Sequence, residues 1–320
     1  MRLTESKLAV VIPAYKIQFI GDTLKSLSLQ TDKRFNVYVG NDSGDSNIEN
    51  LIKEYKSDIK VEYEYFTKNL GSNSLVEAWD RCVKMTNGEP WIWVLPDDDF
   101  IDKHCVAGFY RTIELDSSFD LYRFKSAVTD SAGSIKSENY SMPDTESSYL
   151  SLIEKIKYNR SSTLAEYIFN RKVYDKYGGF PSLPCAWGSD DAGWYLFGSK
   201  TGIKTIGSGK VFLRQSQYNI SGDYNRLGTV KLYALTMLFK KLVSYPEFRN
   251  DISKYSSDIN FEQLSQFFIF NEMRQLKIVL GIQDFIKLGK ITSSYWSGGL
   301  LKNTYRFWLN YNKQIKDQKI

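Results

Sequence analysis

Two hydrophobic periods alternate over the first 125 residues. Lys7 to Ile12 (KLAVVI) is an unbroken apolar run, the pattern of a strand buried on both faces. Phe19 to Leu29 places apolar residues at helical spacing, and Phe35 to Val39 (FNVYV) returns to a strand. Ile48–Tyr55 and Leu75–Met85 read as helices, with a strand at Val61–Phe66 between them. Trp91–Leu95 (WIWVL) is a second buried strand, whose Trp91 and Trp93 belong to the core. A helix over Ile101–Leu115 and a strand over Asp120–Phe124 follow. Strand-helix alternation of this kind predicts an α/β fold with a mostly parallel sheet and helices on both faces.

The alternation stops at Val128. Ser, Asp, Gly and Asn dominate up to Tyr149, with a turn at Ser131-Ala132-Gly133-Ser134, which predicts a hairpin or a flexible loop. Ser162–Phe169 returns to the sheet. Lys172–Tyr177 forms a short helix stopped by Gly178-Gly179. Gly188–Phe197 is a helix opening at Ser189-Asp190-Asp191, and Val211–Leu213 is a last short strand. After Tyr224 the periodicity is helical: Leu227–Tyr245, Phe261–Leu280 and Tyr295–Gln314. The chain thus divides into an α/β domain over 1–224, with halves of about 1–125 and 126–224, and a helical region over 225–320.

Composition narrows the function. At 320 residues, 42% apolar and 25% charged, the chain has the balance of a folded globular protein. No apolar run is long enough to cross a membrane, and the run near the N-terminus is too short for a signal peptide. Three separated cysteines, Cys82, Cys105 and Cys185, suit a reducing compartment, so a cytoplasmic location is expected. The single histidine, His104, reads as a helix-surface residue and excludes His-rich zinc sites and Ser-His-Asp chemistry. Net charge is uneven: −3 over residues 1–224 and +8 over 225–320. In that basic part Tyr295-Trp296, Tyr305, Phe307-Trp308 and Tyr311 alternate with Lys302, Arg306, Lys313, Lys316 and Lys319. Two readings stand: peripheral contact with the inner face of the cell membrane, or a helix packed on the α/β domain with a solvated basic face. No nucleic-acid motif is present, so no nucleic-acid partner is expected; a homodimer or second subunit is left open.

Candidate chemistry lies at the carboxyl ends of the strands, where an open parallel sheet binds ligands. Pro13-Ala14-Tyr15 follows the first strand, Gly40-Asn41-Asp42-Ser43-Gly44-Asp45 the second, Lys68-Asn69-Leu70-Gly71 the third, and Pro96-Asp97-Asp98-Asp99 follows WIWVL. Three adjacent carboxylates repel one another, and a hard divalent cation such as Mn²⁺ or Mg²⁺ relieves the conflict. The alternative is a solvated turn capping the next helix. Asp42 reads either as a turn residue or as an acceptor for a base or ribose. Neither a G-x-G-x-x-G nor a Walker A pattern occurs, so dinucleotide redox and P-loop chemistry are set aside.

These segments carry a resemblance. LAVVIPAY, VYVGNDSGD, KNLGSN and WIWVLPDDDF, in that order, resemble nucleotide-sugar glycosyltransferases of the GT-A fold, a Rossmann-like architecture, and in particular glycosyltransferase family 2. EAWDRCV, YDKYGGF and SDDAGW resemble bacterial members that build surface polysaccharides of the cell envelope. The resemblance covers about residues 6–215 and implies roles. Pro13, Ala14 and Tyr15 line the nucleotide pocket, and Asp42 binds base or ribose. Asp97 lies near ribose or metal, Asp98 is the direct metal ligand, and Asp99 shares the ion. Asp191 is the catalytic base with Asp190 its near alternative, although both also suit helix capping. Lys68 and Arg81 are donor-site candidates, and Arg214 faces either the diphosphate or a surface acid. Phe180 lines the acceptor pocket, and Trp187 and Trp194 flank the base, either stacking on an acceptor sugar or packing in the core.

Three departures stand out: Pro96 replaces the first acid of the family's D-x-D triplet, Ala78-Trp79-Asp80-Arg81 replaces Ala-Arg-Asn, and the late segment FLRQSQYNISG has no histidine. The implied activity is metal-dependent, inverting transfer from a nucleotide-sugar donor, a UDP-sugar, to a glycan or lipid-linked glycan in bacterial surface-polysaccharide biosynthesis. Weighed beside it are a polyprenyl-phosphate sugar synthase, a nucleotidyltransferase, and an inactive module that only binds nucleotide or glycan.

Overall fold

Leu8 to Ile12 have no exposed surface, and they form the central strand β1 (Leu8–Ala14). The chain then runs through α1 (Ile17–Ser28), β2 (Phe35–Asn41), α2 (Asn47–Tyr55), β3 (Val61–Tyr65), α3 (Leu75–Lys84) and β4 (Trp91–Val94). β2 and β4 flank β1, β3 lies outside β2, and all four are parallel. Next come β5 (Phe100–Ile101), α4 (Cys105–Leu115), β6 (Leu121–Thr129), β7 (Ile135–Glu138), β8 (Thr145–Glu146), α5 (Ser148–Ile156), β9 (Tyr167–Asn170), α6 (Arg171–Tyr177), α7 (Ser189–Phe197) and β10 (Ile203–Arg214). The sheet order is β3-β2-β1-β4-β9-β6-β10-β5, with β7 on β6 and β8 on β10. Six strands share one direction, while β9 runs antiparallel to both β4 and β6. The computed structural model describes residues 6–138, 142–219, 222–276 and 278–317.

The pleat of β1 divides the core. Leu8, Val10 and Ile12 face a cluster with α1 and α4, whereas Ala9 and Val11 face one with α3. The second cluster continues through α5 and α7 into α8 (Tyr224–Leu242), α9 (Pro246–Lys254), α10 (Phe261–Gln275), α11 (Ile282–Thr292) and α12 (Gly299–Asp317), as far as Phe307. The helices after residue 224 therefore share one core with the sheet.

Several elements differ from the sequence reading. β10 spans twelve residues rather than the three of Val211–Leu213. Gly207-Ser208-Gly209 hides the strand pattern, and the register with β6 shifts there between Thr205 and Lys210. Ile101 belongs to β5, so the helix begins at Cys105. The 128–149 stretch contains a hairpin of β6 and β7, closed by Asp130 Oδ1, which accepts from the Ala132 and Ser134 N–H groups; residues 139–141 lie outside the described set. α5, α9 and α11 had no counterpart in the periodicity reading. Pro246 opens α9 at its first turn, where a missing N–H costs nothing.

Candidate active site

The ends of β1, β2 and β4 meet at one edge of the sheet. The Asp42 N–H donates to the Ala14 carbonyl at 2.9 Å, joining the turn after β2 to β1. After β4 the chain turns back under the segment that follows β1: the N–H groups of Tyr15 and Lys16 both donate to Asp97 Oδ2. Thr23 Oγ, on α1, donates to the Asp97 carbonyl at 3.1 Å and the Asp99 carbonyl at 2.7 Å. Ala14 is buried, Pro13 half-buried, and the Tyr15 ring is 59% exposed.

The three aspartates are buried and fan apart. Asp97 accepts backbone donors. Asp98 Oδ2 lies 2.5 Å from Lys16 Nζ and 3.3 Å from Asn219 Nδ2. Asp99 Oδ1 accepts the Arg214 N–H at 2.9 Å. Burial raises Asp97 to about 6, partly offset by Lys16 and reinforced by Asp98. Asp99 is held well above the usual carboxylate range by burial and then by Asp98. Burial pulls Lys16 down, but Asp98 and Asp97 outweigh it and keep the ammonium charged. Among the described residues no three His, Cys, Asp or Glu side chains converge as metal ligands. The donor set is nonetheless hard oxygen crowded with negative charge, and Mn²⁺ or Mg²⁺ needs only one or two protein carboxylates when phosphates and waters complete its shell.

Asp42 is enclosed by the loop after β3. Its oxygens accept the Leu70 N–H at 3.0 Å, the Gly71 N–H at 2.6 Å, and an Arg81 guanidinium N–H. Arg81 also donates to the Lys68 carbonyl at 2.9 Å and lies 3.6 Å over the Phe66 ring. The Lys68 side chain is exposed. A Cβ on Gly71 would stand 2.8 Å from Asp42 Oδ2, so a side chain here makes the carboxylate, held by three donors, shift. Gly71→Ala should therefore destabilise the chain by about 1–3 kcal/mol, read as a lower denaturant midpoint. An unchanged midpoint would mean the loop yields freely and is no fixed part of the site.

A second acidic pair opens α7. Gly188, left-handed at φ +84°, occupies the N-cap position, and Ser189 Oγ accepts the Leu183 N–H. Asp190 and Asp191 both lie in the first helical turn, and the Asp190 carboxylate accepts backbone N–H groups of that turn, its own and that of Asp191. Lys155 Nζ on α5 instead donates to both oxygens of Asp191 and to the Ser162 carbonyl. Burial, then the Asp191 charge, raises Asp190 to about 7, while Lys155 pulls it back. A small cavity beside the pair is lined by Ser151, Lys155, Ser162, Tyr167, Asp191 and Trp194. The antiparallel pairing of β9 with β4 puts Tyr167 beside the end of β4. Asp191 and the Asp97–Asp99 turn thus gather at the same sheet edge.

The family model for glycosyl transferase family 2 matches residues 9–174, which hold β1 to β4 and the acidic turn. The chain belongs to glycosyl transferase family 2. A curated relative, an uncharacterized glycosyltransferase of Rickettsia bellii (strain RML369-C), is 31% identical over 118 residues, which are 37% of this chain and 15% of that protein. Among solved structures, S. aureus TarS 1-349 in complex with UDP-GlcNAc aligns over 98% of this chain and 91% of its own, with a TM-score of 0.64 at 13% identity. GalNAc-T7 with UDP, GalNAc and Mn2+ aligns over 83% of this chain and 54% of its own, with a TM-score of 0.52 at 10% identity. At these identities the likeness is one of fold, and it agrees with the GT-A expectation.

Two readings were open for Arg214, Trp187 and Trp194, and Phe180 was expected at the acceptor pocket. Arg214 is buried and engaged: it donates to the Asp98 and Ser131 carbonyls and pairs with the surface acid Asp22 at 2.7 Å. Phe180 is core, edge-on to Trp79 and Trp194. Trp194 stacks on Tyr167 at 4.4 Å and is core too, while the Trp187 ring carries Lys231 at 4.4 Å. Lys16, Thr23, Lys155 and Asn219 had not been singled out. Lys16 adjoins Pro13-Ala14-Tyr15, and Lys155 lies in SYLSLIEKI, whose helical spacing after Ser147 was the available signal.

Proposed function

We propose that this enzyme transfers a sugar from a nucleotide-sugar donor, a UDP-sugar, to a hydroxyl of a glycan or lipid-linked glycan in surface-polysaccharide synthesis, by single displacement with inversion. The observation that carries the reading is the gathering of two separate acidic sets at one sheet edge: Asp97–Asp99 after β4, and Asp191 with Lys155 beside the start of β9. The complex of TarS with UDP-GlcNAc supports a UDP-linked donor on this fold. The Mn2+ in the GalNAc-T7 structure supports a divalent ion.

The reading assigns the following roles. Pro13, Ala14, Tyr15 and Asp42, with Lys68 at the rim, bound the nucleotide pocket. Asp97 fixes the turn by accepting the Tyr15 and Lys16 N–H groups. Asp98 and Asp99 would hold Mn²⁺ or Mg²⁺, which supplies charge neutralisation for the diphosphate. Asp191 takes the acceptor proton as that oxygen bonds the anomeric carbon. The carbon–oxygen bond to the diphosphate breaks, and the nucleoside diphosphate leaves with the electron pair. The synthase alternative asks for a basic phosphate clamp here, but the ammonium of Lys155 is spent on both Asp191 oxygens.

The test is turnover of UDP-sugars with lipid-linked acceptors, with the anomeric configuration of the product read by NMR. An inverted linkage is expected; a retained one would overturn the single displacement. The pH profile gives a second check. Asp190 is raised to about 7, and its ionisation puts a second negative charge beside the base Asp191, so activity should rise as the pH passes through that value. Lys155 lowers that titration, so Lys155→Met should move the acid limb to higher pH. A limb that stays put would detach the pair from catalysis.

A further inference from the structure

The outward face of the α11–α12 hairpin is apolar where a soluble surface would be polar. Ile282 and Ile286 on α11, and Leu301, Tyr305 and Trp308 on α12, are each 45–85% exposed. Their spacings of four, and of four and three, place each set on one helical stripe. Tyr305 and Trp308 stack on each other at 5.6 Å.

The two stripes share one side of the hairpin. The helices meet where a Cβ on Gly289 would fall within 2.7 Å of the Thr304 backbone nitrogen, and again where Phe285 meets Tyr311. Phe285 and Leu288 on α11, and Asn303 and Phe307 on α12, point inward. At roughly 100° per residue, passing around each helix from its buried side through the seam leads next to the exposed stripe. In an antiparallel pair that sequence puts both stripes on the same outer face.

Charge frames this face. Lys287 and Lys290 are exposed beyond the apolar stripe of α11, and Lys302 and Lys313 beyond that of α12. From Ile282 to Lys316 the only acid is Asp284, whose carboxylate accepts the Tyr233 hydroxyl at 2.6 Å. An apolar strip with Tyr and Trp, bordered by lysines on both sides and almost free of acids, is the chemistry of a helix face that sits in the headgroup layer of an anionic bilayer. No helix among the described residues is long and apolar enough to cross a membrane, so contact would be from one side.

We propose that the outer face of the α11–α12 hairpin docks the chain on an anionic lipid surface, with Ile286, Leu301, Tyr305 and Trp308 entering the headgroup layer and the flanking lysines meeting lipid phosphates. The inference does not rest on the sugar-transfer reading. Lysine 319 and the side chain of Lys316 lie outside the described residues and are not needed for it.

The test is co-sedimentation of the full chain with vesicles of phosphatidylcholine alone and of phosphatidylcholine mixed equally with phosphatidylglycerol. The wild type should bind the mixed vesicles and weaken as salt rises. Replacing Lys287, Lys290 and Lys302 by Gln should weaken binding about fivefold per lysine. Tyr305→Ser with Trp308→Ser should weaken it as well; because the Lys287 ammonium also lies 4.0 Å over the Tyr233 ring, Lys290→Gln with Lys302→Gln is read beside the triple variant. Equal binding to both vesicle types, no binding, or binding unchanged in the variants would overturn the proposal. So would a concentration-dependent dimer abolished by Trp308→Ser, which would give the face to a second copy of the chain. A chain that ignores vesicles yet transfers sugar normally would sink this inference alone.

Discussion

Asp191→Asn should lower sugar transfer by about 10²–10⁴-fold and leave nucleotide binding unchanged. Asparagine keeps the size of the side chain but takes no proton. The substitution also leaves the Lys155 ammonium facing a neutral amide, so some stability is lost with the activity. The two effects separate in a double variant. Asp191→Asn with Lys155→Met removes the unpaired charge and should recover the melting temperature without recovering turnover. Asp190→Asn is the companion measurement. Among the described residues Asp190 forms no ion pair, and burial and the Asp191 charge hold it near 7. Its substitution should cost less than that of Asp191. If Asp190→Asn proves the more severe, the base has been assigned to the wrong carboxylate. If neither variant loses more than about tenfold, proton abstraction by this pair is not part of the rate.

The parallel half of the sheet was legible because its strands are buried on both faces. LAVVI and WIWVL have no polar position to interrupt the run, and Leu8–Ile12 and Ile92–Leu95 prove fully enclosed. β10 was legible only at its end. Glycine carries no hydrophobic signal, and Gly209 is required because a Cβ there would meet Cys105 Cα at 2.7 Å. α5 was overlooked because its apolar positions follow directly on a polar stretch, although Ser147 caps it by accepting the Leu150 N–H. At the site the acids could be read as acids, but their partners could not. Lys16 reaches Asp98 across 82 positions, and Lys155 reaches Asp191 across 36. Such pairings depend on the sheet order, and no local pattern encodes them. The tryptophans stayed open for a related reason: a Trp beside a candidate base suits a sugar or a core equally, and Trp194 stacks on Tyr167 within the core.

Asp98→Ala should remove most of the dependence of nucleotide binding on Mn²⁺. Calorimetric titration of UDP, with GDP and CDP beside it, reads this directly in the presence and absence of the ion. In the wild type Mn²⁺ should tighten UDP binding by about 10- to 100-fold, the worth of one or two charge-assisted contacts. In Asp98→Ala the ratio should fall close to one. Some metal-independent affinity should survive, for a reason visible in the site. Asp98 Oδ2 holds the Lys16 ammonium at 2.5 Å, and among the described residues Asp97, at 3.7 Å, is the ion-pair partner that remains once Asp98 is gone. The freed cation is then available to a phosphate. Lys16→Met should do the reverse, lowering the metal-independent affinity while preserving the response to Mn²⁺. The pair of variants therefore distinguishes two ways of neutralising a diphosphate at one edge, by the lysine or by the ion. A response to Mn²⁺ that survives Asp98→Ala would move the ion away from this turn. A response lost in Lys16→Met but kept in Asp98→Ala would leave the lysine as the group that matters, and the three aspartates as the scaffold that positions it.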